Sequence, residues 1–385
     1  MWQESRPIRL GIVCAPLARA YGGPGAVVRS HWRALSASAD IRVFGTGSSA
    51  DLPTLAAEFG DGSVFPLGIP HRWFRGVGLA AALVAGAQET DVLHAHMLWD
   101  HSVWAAGRVS LKTRVPLIVT PHGSVCGRWR YAALHKRAYA ATMLRPVLHG
   151  SRFVHVLNQA EADAVSEFGF RCPVRVIPNG IPLEEFCRSC GPELALERWP
   201  RLKERRVMLY MGRLWSGKGL NALGEAWAQI RGTAGREGWT LVLAGPDYKG
   251  YRDRLEERVS RLCLDDAVII TGPVQDQAKH SLLAVAQCFV LPSLGEGFSL
   301  ALLEAAAAGL PAVFTTACNF PQLAAAGGGW ELPPSASLGE CLAEVIRMNA
   351  SALRAAGRQA RELCLRDYTL ERVASLLLEM YRDAL

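Results

Sequence analysis

One pattern, run twice, constrains this chain more than any other feature. Short apolar segments alternate with stretches of helical spacing, first over residues 8–157 and again over 207–313. Unbroken apolar strands separated by amphipathic helices point to parallel sheets covered by helices on both faces. The first half offers Ile8–Cys14, Ile41–Phe44, Asp91–His94, Leu117–Thr120 and Phe153–Leu157 as strands, with a helix from Ala26 to Ser36. The second offers strands at Val207–Met211, Thr240–Ala244, Val268–Thr271 and Cys288–Leu291, and helices at Leu220–Ile230, Tyr251–Leu262 and Gln277–Ala286. Pro and Gly density between Ile177 and Pro200 reads as a linker. With 385 residues, half of them apolar, two layered domains can each bury a core. Ligands of such sheets bind at the C-terminal ends of the strands, so two facing domains predict a cleft.

The stretch from Leu291 to Val313 carries the most chemistry. It holds an apolar strand end, a loop with Glu296 between Gly295 and Gly297, and a helix bearing Glu304 and ending at Gly309. The opening of a helix presents free N–H groups and a positive dipole end, a seat for phosphate. Glu296 and Glu304 are spaced roughly 10–12 Å apart at ~1.5 Å rise per residue. That is too wide for two carboxylates working on one bond, and suits two groups gripping separate parts of one long ligand. Upstream, Tyr210–Gly219 ends a strand with Arg213 and Lys218, five residues apart. A guanidinium fork and an ammonium point charge there suit a diphosphate.

The first half contributes weaker signals. Gly22, Gly23 and Gly25 follow the first strand, without the spacing of the dinucleotide fingerprint. His122 stands just past a strand end in Thr-Pro-His-Gly, and His94 and His96 share one strand face. No third metal ligand accompanies the latter two, which leaves acceptor contact or packing. Cys187 and Cys190 form a single Cys-x-x-Cys without a second pair, so reduced thiols are expected.

Net charge is +7 with a pI near 9.0, which implies anionic partners. Two basic-aromatic clusters, at 71–75 and 128–145, suit a lipid headgroup surface or a solvated basic face. No apolar run is long enough to span a bilayer, and the N-terminus reads as a strand and not as a signal peptide. No helix-turn-helix, zinc or RNA-binding motif accompanies the basic excess, so nucleic acid is not an expected partner.

These residues together resemble the retaining glycosyltransferases of family 4, nearly end to end and most closely from Val207 to Val313. The resemblance implies the GT-B architecture: α/β, two Rossmann-like domains with parallel sheets facing a central cleft. Residues 1–185 would form the acceptor-side domain and 186–365 the donor domain, with a helix over 366–385 packing back on the first. In that family the two glutamates of the Glu-x7-Glu pattern, here Glu296 and Glu304, contact the donor sugar and the ribose. Arg213 and Lys218 would hold the diphosphate together with amides around Gly297, Phe298, Ser299 and Leu300. Gly22 and Gly23 would face that diphosphate, His122 the sugar, and backbone near Val274 the base.

The resemblance further implies a metal-independent transfer by front-face attack, with no cofactor beyond the nucleotide-sugar donor. Uridine diphosphate is the first expectation for its nucleotide and guanosine the next. The acceptor would be a saccharide or lipid-linked saccharide, handled in the cytoplasm at the inner face of a membrane. An epimerase of the same architecture, or a non-catalytic nucleotide-sugar-binding protein, is the alternative. The chain departs from the family in having Pro182 two positions beyond Asn179-Gly180 and its neighbour, and Pro321-Gln322 where Pro-Glu is common.

Overall fold

A computed structural model describes residues 6–18, 22–69, 73–125, 134–169, 171–187 and 191–385. The chain divides into two compact units, one of Met1–Gly180 with Leu370–Leu385, the other of Ile181–Thr369. The sequence-based divisions were drawn at 185/186 and 365/366.

The first unit is built on seven parallel strands: β1 Ile8–Cys14, β2 Ala39–Gly47, β3 Val64–Pro66, β4 Val92–His96, β5 Leu117–Thr120, β6 Phe153–Val156 and β7 Val174–Val176. Their order is β3-β2-β1-β4-β5-β6-β7, so the direction of winding reverses between β1 and β4. β1, β4, β5 and β6 are predominantly apolar because helices cover both faces, their polar members including Arg9, His94, His96, Thr120 and His155, and Leu10, Ile12, Val92, Val119 and Val154 are almost wholly buried. Helix Gly23–Leu35 covers one face. Its buried Arg29 donates to the Leu17 carbonyl at 2.9 Å and pairs with Glu58 at 2.8 Å, which ties the chain after β1 to this helix. Helix Leu370–Ala384 completes the same face, placing Val373, Leu377, Met380 and Tyr381 in one cluster with Leu10, Ile12, Val28 and Leu35. Gly180 is where it comes closest, since a Cβ there would lie 3.0 Å from Leu370 Cα.

The second unit has six parallel strands: β8 Arg206–Met211, β9 Trp239–Ala244, β10 Val268–Gly272, β11 Cys288–Leu291, β12 Ala312–Thr315 and β13 Gly329–Leu332. The order is β10-β9-β8-β11-β12-β13, with the reversal between β8 and β11. Helix Leu220–Arg236 buries Leu223, Trp227, Ile230 and Ala234, a helical stripe, while its opposite face is charged. Trp239 donates its indole N–H to the Ile346 carbonyl at 2.9 Å and carries Arg206 over its ring at 4.3 Å. That contact joins the strand edge to helix Leu338–Arg347, which is capped by Ser337.

Two sequence expectations need correction. The segment read as a linker to Pro200 contains helices Leu183–Cys187 and Glu193–Arg198; the second buries Ala195, and Leu202 enters the core. Pro192 and Pro200 sit at helix starts, where a missing N–H costs nothing. The helix expected over 366–385 runs from Leu370 to Ala384, Asp367 being the end of the preceding helix Ala350–Asp367, and the break at Tyr368–Thr369 is where the chain leaves the second unit for the first. Strands β3, β7, β12 and β13 were not foreseen; β3 and β7 are three residues each and partly exposed, and β13 is a four-residue strand at the sheet margin.

Within the two basic-aromatic clusters, residues 71, 72 and 128–133 lie outside the described residues, as do Tyr21 and Cys190. The described remainder meets in space: Trp73 donates its indole N–H to the Tyr139 hydroxyl at 3.0 Å, and Lys136 lies 5.8 Å from the Trp99 ring centre. The seven described cysteines are free thiols. Among the described residues, no helix is long and apolar enough to cross a membrane.

Candidate active site

In the second unit, the loops that leave β8 and β11 emerge side by side at the switch point of the sheet. The first carries Arg213 and Lys218, the second Glu296. Gly219 locks them together. Its φ of 71° lies in the left-handed region, and a Cβ there would stand 1.9 Å from the Pro292 carbonyl oxygen. No other residue satisfies both conditions. Leu294 N–H donates to Gly217 O at 2.9 Å, a second tie between the loops.

This docking brings the Lys218 ammonium into an ion pair with the Glu296 carboxylate, both side chains largely buried. The backbone of Glu296 is fixed on its other side: its N–H donates to Ala317 O at 2.9 Å, and the Asn319 side-chain amide donates to its carbonyl at 2.7 Å. Arg213 stands over the Tyr248 ring at 5.5 Å, and its carbonyl accepts from the Tyr210 hydroxyl at 2.8 Å.

Helix Leu300–Ala307 opens beside these groups. Ser299 is its N-cap, accepting from Leu302 N–H at 3.3 Å, and Phe298 packs on Phe320 and Tyr368 with ring centres 5.3 and 6.0 Å away. Glu304 lies one turn inside and is paired with Lys279 at 3.0 Å. The two glutamates are therefore each held by a separate lysine. A Cβ on Gly295 would meet no protein atom within 4 Å, so packing does not require a glycine there. Val274 is half-buried just beyond β10.

The first unit holds Gly22, Gly23 and His122. Gly22 is the N-cap of helix Gly23–Leu35 at φ 102°, and Gly23 is its first residue. His122 follows β5 in a left-handed conformation, φ 53°, with its Nε2 2.8 Å from His96 Nδ1. Behind it runs a chain of hydrogen bonds whose proton positions are set from one end. His155 Nε2 can only donate to the Ile177 carbonyl, 2.8 Å away, so its Nδ1 accepts from the Thr120 hydroxyl at 2.7 Å. Thr120 then accepts from His94 Nε2 at 2.7 Å, and His94 Nδ1 accepts from the Tyr381 hydroxyl at 2.8 Å.

Burial keeps these rings neutral. It lowers His31 and His122 to about 3 and His155 to about 4, and holds His94 and His96 well below the ordinary imidazole range; positive character on neighbouring imidazoles adds to the effect for all but His155. His94 and His96 thus serve packing and hydrogen bonding. Among the described residues, no group of three or more His, Cys, Asp or Glu is placed to hold a metal ion.

Residues 21–185 match the family model described as Glycosyltransferase Family 4, and residues 205–348 the one described as Glycosyl transferases group 1. The chain belongs to glycosyltransferase family 4. The GDP-mannose:cellobiosyl-diphosphopolyprenol alpha-mannosyltransferase of Xanthomonas oryzae pv. oryzae is 26% identical over 303 residues, 77% of this chain and 72% of that one. The putative colanic acid biosynthesis glycosyltransferase WcaL of Salmonella typhimurium is 30% identical over 183 residues, 44% of each chain. Among solved structures, Anabaena Alr3699/HepE in complex with UDP and glucose superposes with a TM-score of 0.79 at 20% identity, covering 97% of this chain and 99% of that one. The fold of this family 4 member is GT-B, with two Rossmann-like domains.

Sequence reasoning missed Lys279, a lone lysine on helix Asp276–Val285 whose partner lies 25 residues away. It also missed Asn319, two residues ahead of Pro321-Gln322.

Proposed function

We propose that this glycosyltransferase moves a hexosyl group from a nucleoside-diphosphate sugar, uridine-linked in the first instance, to a hydroxyl of a saccharide or lipid-linked saccharide. The product would be part of a polysaccharide or glycolipid. The observation that carries the reading is the gathering of Arg213, Lys218, Glu296, the N-terminus of helix Leu300–Ala307 and Glu304 at one sheet switch point. Two cations and a helix N-terminus suit a diphosphate, and the two glutamates suit hydroxyl groups at either end of it.

In the unliganded protein Lys218 neutralises Glu296. A diphosphate competes for that ammonium, so binding frees the carboxylate to accept hydrogen bonds from the sugar. As the bond from the anomeric carbon to the phosphate oxygen breaks, charge grows on the departing diphosphate. Arg213 and Lys218 stabilise it there. The acceptor oxygen attacks from the same face, and its proton passes to the leaving phosphate, which gives retention without a covalent intermediate. No metal ion or organic cofactor is assigned a step. The roles of His122, Gly22 and Gly23, which belong to the other unit, and of Val274 rest on the family resemblance. A guanosine-linked donor is the second reading, favoured by the Xanthomonas relative, a GDP-mannose:cellobiosyl-diphosphopolyprenol alpha-mannosyltransferase.

Thermal unfolding with UDP, GDP and ADP in turn, beside Glu304→Ala, tests the donor site. A nucleotide at 100 times its Kd adds about 2.7 kcal/mol of stability. Stabilisation by one nucleotide, weakened in the variant, supports the reading. No response to any of the three refutes it, and sugar-nucleotide interconversion without acceptor would favour the epimerase.

A further inference from the structure

The candidate donor site of the second unit is polar, yet its rim is not. Trp215 lies between Arg213 and Lys218 on the loop after β8 and is 39% exposed. Leu294, two residues ahead of Glu296 on the loop after β11, is 67% exposed. Among the described residues of this unit, Leu194 and Leu365 are the only other large apolar side chains so exposed. Half of that small set therefore stands on the two loops that carry Arg213, Lys218 and Glu296. Leu294 N–H donates to Gly217 O at 2.9 Å, which makes Trp215 and Leu294 neighbours and not scattered surface residues.

The indole is seated and not loose. A Cβ on Gly217 would stand 2.4 Å from Trp215 Cζ3, so the six-membered ring rests against that residue's backbone. The φ of Gly217 is not left-handed, so the ring above it requires the glycine and the turn does not. Lys218 N–H donates to the Trp215 carbonyl at 3.0 Å and closes the turn. On its edge the indole meets Tyr248, with ring centres 6.0 Å apart and planes at 67°. Tyr248 is tied to the same loop by its N–H, which donates to the Leu214 carbonyl at 3.2 Å. A ring held in this way binds a ligand with little ordering cost.

We propose that Trp215 is the platform on which a pyranose ring of the acceptor stacks, its C–H face on the indole and its edge against Leu294. The inference rests on the transfer proposed above and names the acceptor's terminal unit as a hexopyranose. The geometry of that transfer carries it. In front-face attack the accepting oxygen approaches on the side from which the phosphate leaves. The acceptor ring then lies beside the diphosphate, within a sugar's length of Arg213 and Lys218, and Trp215 stands between those two residues in the loop. Its ties run through Gly217 and Leu294 to the loop of Glu296, the residue assigned to the transferred sugar. The C–H bonds of a pyranose carry partial positive charge and meet the negative face of the indole, while the hydroxyls around the ring stay in water. A nucleobase also stacks on aromatic faces, but it belongs beyond the ribose, the end marked by Glu304 and Lys279 on two other helices.

The test uses the full chain labelled with 5-fluorotryptophan and saturated with UDP or GDP, whichever stabilises it in the thermal melt. Cellobiose is the probe, because its rings have C–H faces free of axial hydroxyls, and glycerol, a polyol without a ring, is the control. The fluorine resonance of Trp215 is the one absent from Trp215→Phe. A saturable shift of that resonance with cellobiose, and none with glycerol, is expected. In saturation-transfer titrations Trp215→Ala should weaken cellobiose binding at least about tenfold. Trp215→Phe, which keeps an aromatic face, should lose no more than about threefold. Nucleotide affinity should stay within about twofold of wild type in both variants. A Trp215 resonance that moves with nucleotide but not with cellobiose would overturn the proposal. So would a nucleotide affinity that falls in Trp215→Ala as far as the cellobiose affinity does, since the indole would then belong to the donor. A chain stabilised by neither nucleotide fails the donor reading, and this inference with it, in the melt and before cellobiose is added.

Discussion

Acid should unfold the first unit long before the second. Five imidazoles are held below the ordinary range in the folded protein, chiefly by burial: His31 and His122 at about 3, His155 at about 4, and His94 and His96 well below it. In the unfolded chain each takes up a proton below its ordinary pKa of about 6.5. The unfolded state therefore binds more protons as pH falls, and stability is lost between pH 6.5 and the folded values. From pH 7 to 5.5 the five rings together cost about 6 kcal/mol. Asp100 acts in the opposite sense. Burial lifts it to about 6, so the fold takes up a proton there and regains about 1 kcal/mol over the same interval. Glu161, raised by burial as well, adds to that offset. The net loss is about 5 kcal/mol, comparable to the whole stability of many domains.

At roughly 2–4 °C per kcal/mol for a unit of this size, the melting temperature should fall by about 10–20 °C. Hydrogen exchange read by mass spectrometry separates the units, because β4–β6 and β8–β11 give distinct peptides. His31→Leu removes one titrating ring whose two nitrogens have no hydrogen-bond partner among the described residues, so it should reduce the loss by about 1 kcal/mol without breaking a hydrogen bond. Equal protection of β4–β6 at pH 7 and 5.5, or an unchanged pH slope in His31→Leu, would refute the reasoning.

Gly219→Ala should force the Pro292 loop away from Lys218 and lower transfer activity at least about tenfold, with a stability loss of about 2 kcal/mol or more in the second unit. Steady-state kinetics beside a thermal melt would check both, and wild-type kcat would count against the loop-docking account. Lys279→Met should weaken UDP and uridine by a similar factor, about tenfold for one lost charge-assisted contact, because its partner Glu304 is assigned to ribose. Calorimetric titration showing loss for UDP alone would assign Lys279 to phosphate. Tyr381→Phe removes the donor that serves His94 and should cost about 1–2 kcal/mol in chemical denaturation with little effect on nucleotide affinity. An unchanged midpoint would mean that the hydrogen-bond chain stops at His94.

The strands legible in sequence were those with helices on both faces. Ile8–Cys14, Leu117–Thr120 and Cys288–Leu291 are largely apolar runs, and their bounds were read without error. β3 and β7 at the sheet margin lack that coverage, so their sequences carry no such run. At the candidate site, Glu296, Glu304, Arg213 and Lys218 stood out because they lie close to glycines in two short motifs. Lys279 did not, since what singles it out is a pairing across two helices. The histidines were visible one at a time. Their common environment follows from three adjacent strand ends and two helices, Gly23–Leu35 and Leu370–Ala384, the second contributed from the far end of the sequence.

That last helix has a consequence for biosynthesis. Ile12, Val28 and Leu35 remain without their cover until residues 370–384 leave the ribosome, about 190 residues after Gly180. At ~5–20 residues per second that is a delay of roughly 10–40 s. The second unit, whose segment is continuous, can close first. The half of the protein that is translated first is thus the half that finishes last, and in the interval its open apolar face is what a chaperone would meet.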